Sequence, residues 1–342
     1  MIEKISIKNY KIISETDLNI KPLTIIAGPN SVGKSSLIQA IMICCLGEDS
    51  KLELIEEYIN YESVVNQDYY GLPIEIKIKD NYLSQITITK KDITQTLSNK
   101  NKRIFDQNFF ILTADRNSIK PIEKLPTKTS IKFGANGEYT LGTFFNNKDQ
   151  EIHKNLLVDL SSNTLKTQVA WWLSKITDSE CKVNVNRLNP SEVQVTFKIN
   201  EYENLTPNNV GIGNSFLVKL ITLCLLAKPN DIICIENPEI HLHPKAQAML
   251  GKFFTHIVKA GIQLIIETHC EHLIDGIRYE IFKNHLSSEE AIILYKSSLI
   301  SDFNPISINK EGNYIDNEGN LQNFPDGFFD STLNELMEMS NC

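Results

Sequence analysis

The chain has 342 residues, of which 42% are hydrophobic and 22% charged, an ordinary globular composition that excludes long disordered or collagen-like segments. Its length suffices for one large domain or two ordinary ones. The formal net charge of −8 excludes a general polyanion-coating protein, although a local basic patch could still bind nucleic acid.

Cysteine use and hydropathy predict the compartment. The seven cysteines are scattered without a C-x-x-C pair, which predicts buried, reduced thiols and not a disulfide framework. The first residues alternate like a strand, so we expect no signal peptide. No apolar run approaches the roughly 20 residues that a membrane span needs. The sequence therefore predicts a cytoplasmic protein with no membrane partner.

The first 46 residues read as strand, turn, strand, loop and helix. Apolar residues at alternate positions from Ile5 predict an amphipathic strand. Residues 23–27 form a β-branched, wholly apolar run that is typical of a buried strand. Residues 28–33 then read as a loop and residues 34–46 as a helix.

The next segments alternate in charge. Residues 48–68 carry seven acids against one lysine and read as a helix with a solvated face. Residues 73–90 alternate as two paired strands. Residues 97–132 hold eight basic against three acidic side chains, a local net charge of +5. That segment is either a plain solvated surface or a surface that binds nucleic acid or a partner.

The second half reads as mixed α/β structure. Residues 151–176 are predicted to form a helix and residues 181–199 a hairpin. Residues 210–270 alternate between strand and helix patterns. A strand at residues 291–295 precedes loops and a short final helix.

Residues 28–35 read GPNSVGKS and fit the phosphate-binding pattern G-x-x-x-x-G-K-[ST] between a predicted buried strand and a helix. Glycines let the backbone curl so that N–H groups face phosphate oxygens, and the helix adds its positive N-terminal end. Lys34 can reach the β- and γ-phosphates, and the Ser35 hydroxyl can ligate Mg²⁺. The predicted nucleotide-binding residues of this loop are Asn30, Ser31, Gly33, Lys34, Ser35 and Ser36.

Two later strands end in further phosphate-side groups. Residues 231–236 form an apolar strand that ends in Glu236, an acid that can hold the Mg²⁺ water shell of a nucleoside triphosphatase. Residues 263–266 form another strand, and His269 follows just past its carboxyl end, where a γ-phosphate would lie. Ser35 and Glu236 are therefore the predicted magnesium-side residues.

His241 and His243 raise the alternative of a zinc site, with Glu239 nearby. Pro238 and Pro244 bracket this stretch as a loop, and no third ligand has the expected spacing. The sequence favours the loop interpretation.

These motifs together resemble a known family. Residues 236–247 (ENPEIHLHPKAQ) and 266–273 (IETHCEHL) are similar to the OLD-like ATPases of the ABC/SMC clan, which recur in bacterial defence operons. Supporting segments are Asn9-Tyr10-Lys11, Thr113-Ala114-Asp115-Arg116, and residues 134–138, 210–215 and 325–330. Cys270 departs from the serine that is usual in the family.

The resemblance implies an α/β fold, namely an ABC-type P-loop ATPase head with a mixed sheet flanked by helices and an inserted helical and β subdomain. One head would span residues 1–342, with a phosphate-loop half at 1–46, the insertion at 47–204, and the signature, magnesium-acid and switch-histidine half at 205–342. Two heads would sandwich ATP as a homodimer or within a higher homo-oligomer. The signature residues facing the partner's γ-phosphate would be Gly211, Gly213, Asn214 and Ser215.

The implied function is an ATP- and Mg²⁺-dependent sensor or scaffold that controls an effector in anti-phage defence. The chain has neither a long coiled coil nor the Toprim nuclease of full OLD proteins, so we expect a nuclease-like effector encoded nearby. The open alternative is a DNA-repair or chromosome-handling clamp without a dedicated effector. A transporter subunit is disfavoured because residues 238–243 do not follow the transporter pattern.

One position departs from the chemistry of ABC-type ATPases. These enzymes usually carry a glutamate after the magnesium-side acid, to deprotonate the attacking water, whereas this chain has Asn237. An amide can orient water but cannot accept a proton. Either Glu239 takes the base role, or hydrolysis is slow and the ATP-bound dimer long-lived. The predicted catalytic residues are Glu236, Asn237, Glu239 and His269, with His269 binding the γ-phosphate.

Overall fold

The computed structural model describes residues 1–46, 53–81, 83–96, 103–115, 118–126, 132–316 and 318–325. The strands are β1 (Lys4–Tyr10), β2 (Ile13–Asn19), β3 (Leu23–Ala27), β4 (Ile74–Lys79), β5 (Leu83–Ile88), β6 (Ile93–Thr96), β7 (Phe109–Leu112), β8 (Ile122–Lys124), β9 (Cys181–Asn189), β10 (Glu192–Ile199), β11 (Tyr202–Leu205), β12 (Ile232–Glu236), β13 (Gln263–Glu267), β14 (Ala291–Tyr295), β15 (Asn304–Ile308) and β16 (Tyr314–Ile315). The helices are α1 (Lys34–Leu46), α2 (Glu53–Ile59), α3 (Tyr61–Val64), α4 (Thr140–Asn147), α5 (Leu165–Thr177), α6 (Ile212–Leu226), α7 (Pro244–Lys259) and α8 (Glu271–Phe282).

Residue contacts divide the chain into two compact units. The central unit comprises residues 103–266 with Met1, and the terminal unit comprises residues 2–102 and 267–342. The chain crosses from the central to the terminal unit at the last residue of β13. The single head with divisions after residues 46 and 204 stays a prediction.

The terminal unit contains two sheets. One is antiparallel, in the order β2-β1-β4-β5-β6. Ile7, Ile76 and Ile86 lie opposite one another across its three central strands and are fully buried, as expected of a face covered by a helix. Helix α1 packs on this sheet. The other sheet is mixed, because β14 runs parallel to β3 and antiparallel to β15.

The central unit places β12 parallel to β7, with β13 next to β12. A separate antiparallel sheet is built on the β9–β10 hairpin, which β8 and β11 extend along β10. Helix α5 packs against α6, α7 and β9. Trp172 anchors this layer, packing edge-to-face on Phe253 with the two ring centroids 4.9 Å apart. Packing of this kind buries large apolar areas and fixes the helix positions.

The structure confirms the predicted hairpin at 181–199, the paired strands within 73–90 and the buried strand at 23–27. The helix predicted for 151–176 is wrong in its first part, because α5 begins at Leu165. The Gln168 side chain accepts hydrogen bonds from the backbone N–H groups of Val158 and Asp159 and so stabilises a loop before the helix.

Within residues 48–68 the helical prediction holds for α2 and α3, which are separated by the capping residue Asn60. The predicted final helix lies outside the described residues. None of the helices in the described part of the chain combines the length and apolarity needed to cross a bilayer.

Candidate nucleotide site

The phosphate loop begins where buried strand β3 ends, and two glycines shape it. Gly28 has a φ of +143°, and a Cβ atom there would overlap the backbone carbonyl oxygen of Lys296. Gly33 has a φ of +98°, and its Cβ would overlap the side chain of Ile12. Both positions therefore need glycine for backbone conformation and for space. Ser31 is also left-handed, at φ +63°.

Lys34 lies inside the loop. Its Nζ donates a hydrogen bond of 2.5 Å to the carbonyl oxygen of Pro29, and the residue is only 3% exposed. In the free protein Lys34 is therefore a buried side chain and not a surface cation. Burial lowers the pKa of Lys34, and the charge of Glu267 opposes that shift. Asn30 and Ser31 are exposed, while Ser36 is buried in the first turn of α1.

Ser35 meets a carboxylate that the sequence analysis missed. Its Oγ donates a hydrogen bond of 3.1 Å to Oε1 of Glu267, the last residue of β13, which is 4% exposed. The signal that could have found Glu267 is an acid at the end of an apolar strand, directly before Thr268 and His269.

His269 is the second group brought to the loop from this turn. Burial and the charge of Lys34 lower the pKa of its imidazole, against a hydrogen bond with the Gly28 backbone that raises it. The phosphate-side role of His269 stays a prediction. The terminal unit thus collects Lys34, Ser35, Glu267 and His269 around one loop.

The predicted acids Glu236 and Glu239, with Asn237, belong to the central unit. Glu236 ends β12, and its Oε2 accepts a hydrogen bond of 3.0 Å from the backbone N–H of Ala114. Asn237 is left-handed, at φ +43°, which an asparagine tolerates better than most residues. Glu239 is 8% exposed within the turn that follows. The turn therefore presents an amide directly after the acid, as the sequence indicates.

A polar network lies beside Ala114, whose N–H binds Glu236, and the sequence indicates it only through the family resemblance. Thr113 Oγ1 donates a hydrogen bond of 2.5 Å to Oδ1 of Asn136, and the Asn136 N–H donates one of 3.0 Å to Glu138. Buried Asp106 accepts N–H bonds from Phe133 and Gly134, which hold the following loop. Two of the segments that carry the resemblance therefore meet in the central unit, through Thr113 and Asn136.

The two histidines weighed as zinc ligands have other contacts. The His241 ring stacks on Phe216, with centroids 5.5 Å apart and planes 13° apart. His243 is the N-cap of α7, and its Nδ1 accepts the N–H of Lys245. Within the described residues, no group of three or more His, Cys, Asp or Glu side chains is arranged to hold a metal ion.

The predicted signature residues lie at the start of α6, and they differ in exposure. Gly211 is the N-cap and is exposed, with nothing within 4 Å of its Cβ position. A Cβ at Gly213 would approach the carbonyl oxygen of His241 to 2.7 Å. Ser215 is 1% exposed, so the structure corrects the prediction that its hydroxyl faces a partner subunit. Asn214, the fourth member of the set, is half-buried.

The predicted basic segment is described only in part. Lys100, Lys102, Arg116 and Lys128 lie outside the described residues. Among the others, Lys120 and Lys124 are exposed and Arg103 and Lys132 half-buried. Phe109 and Phe110 are buried, as expected of core residues and unlike aromatic platforms for nucleic acid.

The AAA ATPase domain family matches residues 1–159 and 52–274, and the chain belongs to this family. Residues 286–339 match a second family, described as a protein of unknown function (DUF3696).

Curated relatives include DNA repair proteins. RecN of Rickettsia conorii is 25% identical over 321 residues, covering 87% of this chain and 56% of that protein. RecN of Rickettsia felis is 26% identical over 318 residues with the same coverage. The uncharacterized protein MJECL10 of Methanocaldococcus jannaschii is 26% identical over 164 residues, 39% of this chain and 75% of that protein. The chain thus spans about half the length of the two RecN proteins.

Solved structures establish the fold. An SMC head bound to the C-winged helix domain of ScpA matches with a TM-score of 0.57 at 13% identity, covering 90% of this chain and 98% of that one. An SMC head with an extended coiled coil, bound to the C-terminal domain of ScpA derived from Pyrococcus furiosus, matches with a TM-score of 0.58 at 12% identity, covering 90% and 96%. The predicted α/β class, a mixed sheet flanked by helices, is confirmed. The chain is therefore an ATPase of the AAA ATPase domain family, with a fold similar to that of SMC heads.

Proposed function

We propose that this ATPase is a slow, ATP-gated dimerising head that controls a nuclease-like partner in bacterial anti-phage defence, in the cytoplasm. The observation that supports dimerisation is the exposed start of α6 at Gly211. Helix N-termini with open N–H groups bind anions, so this end can receive the γ-phosphate of ATP held by a second copy. The partner and the defence setting rest on the OLD-like resemblance.

The predicted magnesium site fits the side chains of the phosphate loop. Ser35 lies 3.1 Å from a buried carboxylate, and hydroxyl and carboxylate oxygens are ligands that Mg²⁺ prefers. One or two carboxylates suffice, because Mg²⁺ keeps waters and takes phosphate oxygens. Ser35 would be one ligand of this ion, and the role of Glu236 as the second magnesium-side residue stays a prediction from the sequence. When bound, the ion neutralises charge on the transferred phosphoryl group.

Residues of the chain itself would have separate roles in hydrolysis. Lys34 would leave the Pro29 carbonyl and bind the β- and γ-phosphates. His269, held near neutral charge by burial, would donate a hydrogen bond to the γ-phosphate. Asn237 would orient the attacking water without accepting its proton, so turnover is slow unless Glu239 serves as the base.

A second candidate function is an ATP-dependent DNA-repair clamp without an effector. The RecN relatives favour it, since they match over 87% of the chain. The exposed lysines of residues 97–132 would then contact phosphates.

Light scattering with ATP and Mg²⁺ tests the dimer. Wild-type protein is expected to associate, and Lys34→Ala to remain dissociated while keeping the wild-type circular dichroism spectrum. A wild-type monomer under saturating ATP would overturn the proposal.

Two further measurements distinguish control of an effector from DNA binding. Co-purification of a neighbouring gene product with the ATP-bound form supports effector control. Tight duplex DNA binding by the isolated chain, weakening steeply with salt, supports the clamp.

A further inference from the structure

Glu267 is a buried carboxylate held in a fixed position beside the phosphate loop. It is 4% exposed, and its Oε1 accepts the Ser35 hydroxyl hydrogen at 3.1 Å. The backbone after it is fixed, because the Thr268 N–H donates to the Ile26 carbonyl at 3.1 Å. The Thr268 hydroxyl in turn accepts the N–H of Cys270 at 3.0 Å. These two hydrogen bonds fix the backbone that follows Glu267, and the bond from Ser35 holds its side chain beside the loop.

A buried carboxylate has a cost that must be offset. Removing a carboxylate from water is unfavourable unless hydrogen bonds or cations compensate it. Ser35 supplies one hydrogen bond, and Lys34 lies close enough for the charge of Glu267 to raise its pKa against the effect of burial. In the free protein the Lys34 ammonium and the Glu267 carboxylate therefore interact electrostatically beside the loop.

The Glu267 carboxylate beside the loop affects how ATP can bind. The polyphosphate is strongly anionic, and a fixed carboxylate beside its binding loop repels it. A divalent cation between the two anions reverses the sign of that interaction. Magnesium also binds oxygen ligands and retains waters that a carboxylate can accept hydrogen bonds from.

We propose that Glu267 is a magnesium-side carboxylate that acts with Ser35 and makes the phosphate loop select the Mg²⁺ complex of ATP over free ATP. The Ser35 hydroxyl would then turn from Glu267 to the metal. This inference rests on the proposed magnesium site. It adds Glu267 to Ser35 and Glu236, the two residues that the sequence predicts for that site.

A purely structural role for Glu267 predicts a different result. If Glu267 only holds Ser35 in place, Glu267→Gln keeps an oxygen that accepts the same hydrogen bond, and the dependence of ATP binding on Mg²⁺ is unchanged. If Glu267 acts through its charge, the same variant loses the Mg²⁺ preference while folding normally.

The test measures binding of a fluorescent, non-hydrolysable ATP analogue to the full chain, in excess Mg²⁺ and in EDTA. Glu267→Gln is expected to weaken Mg²⁺-dependent binding by roughly 10–100-fold, the usual effect of losing a supporting group of a metal site. It should bind the metal-free analogue as well as or better than wild type. Glu267→Ser, a shorter neutral side chain, gives the same expectation if the glutamine variant does not fold.

Glu280→Gln is the matched control. Glu280, in α8, is another buried carboxylate of the terminal unit and is hydrogen-bonded to His285, and its loss should leave the Mg²⁺ preference unchanged. A wild-type Mg²⁺ preference that persists in folded Glu267→Gln or Glu267→Ser protein overturns the inference alone. A wild-type protein that binds the analogue equally well in EDTA overturns the magnesium site itself, and the inference with it.

Discussion

The backbone carbonyl oxygen of Lys296 occupies the space in which a side chain at Gly28 would begin. The contact follows from sheet pairing, because Lys296 continues β14 and its N–H donates to Ala27, the last residue of β3, at 3.0 Å. The entry to the phosphate loop is therefore fixed by a strand that comes more than 260 residues later in the chain. A local motif thus depends on a long-range pairing.

Gly28→Ala should destabilise the terminal unit and abolish nucleotide binding. The substitution adds an overpacking cost of about 1–3 kcal/mol to the strain of a positive φ. Gly71→Ala is the matched control, since Gly71 has a φ of +99° but nothing within 4 Å of its Cβ position. It should carry only the conformational cost, about 1–2 kcal/mol. Urea unfolding and analogue binding measure both, and equal losses in the two variants would rule out the clash.

Gly211→Arg should prevent ATP-dependent association without unfolding the chain. Gly211 has ordinary dihedral angles and open surroundings, so an arginine fits the monomer and blocks only a facing subunit. Ser215→Arg should instead unfold the central unit, since Ser215 is buried. Light scattering and thermal melts distinguish the two. A Gly211→Arg protein that dimerises like wild type would show that the partner's nucleotide binds elsewhere.

Basal hydrolysis should be limited by the missing base. Asn237→Glu is expected to raise turnover, because a carboxylate can accept the proton that an amide cannot, and general-base help is typically worth 10²–10⁴-fold. Asn237→Gln is the control, because glutamine at this left-handed position has the same conformational cost as glutamate but no carboxylate. Glu239→Gln should lower turnover if Glu239 has taken the role. Wild-type hydrolysis on the order of 10 per second that survived Glu239→Gln would contradict both alternatives.

His256 should make the protein less stable in mild acid. Burial and Lys259 lower the pKa of this histidine, against a hydrogen bond with the Leu156 carbonyl that raises it. The folded state thus favours the neutral ring, while the unfolded chain binds a proton near the ordinary value of about 6.5. The contribution of neutral His256 to the free energy of unfolding is fully present above that pH and is lost as the pH falls through the folded pKa.

The measurement for His256 is the free energy of unfolding from pH 8 to pH 5. Wild-type protein should lose stability over this interval, and His256→Gln should lose less, because glutamine keeps a donor for Leu156 but does not titrate. Parallel curves for the two proteins would mean that other groups set the acid dependence.

The phosphate loop could be predicted from the sequence, because its determinants are contiguous. Glycines, lysine and hydroxyl occur at fixed spacing after a buried strand, and turn chemistry acts over a few residues. The α/β class and the hairpin at 181–199 follow from periodicities of the same short range. The sequence also shows that Asn237 stands where ABC-type ATPases usually carry a glutamate base, since it directly follows an acid at the end of a strand.

Only the tertiary structure decided which distant groups meet at the loop. Glu267 reaches Ser35 across 232 residues because the backbone after it hydrogen-bonds to β3, from the Thr268 N–H to the Ile26 carbonyl, and no local signal encodes that contact. The burial of Ser215 is similar in origin. Helix α6 is apolar on nearly every side, so its sequence has no polar stripe to indicate which face turns inward. Packing against neighbouring elements settled that orientation and left Gly211, not Ser215, at the surface.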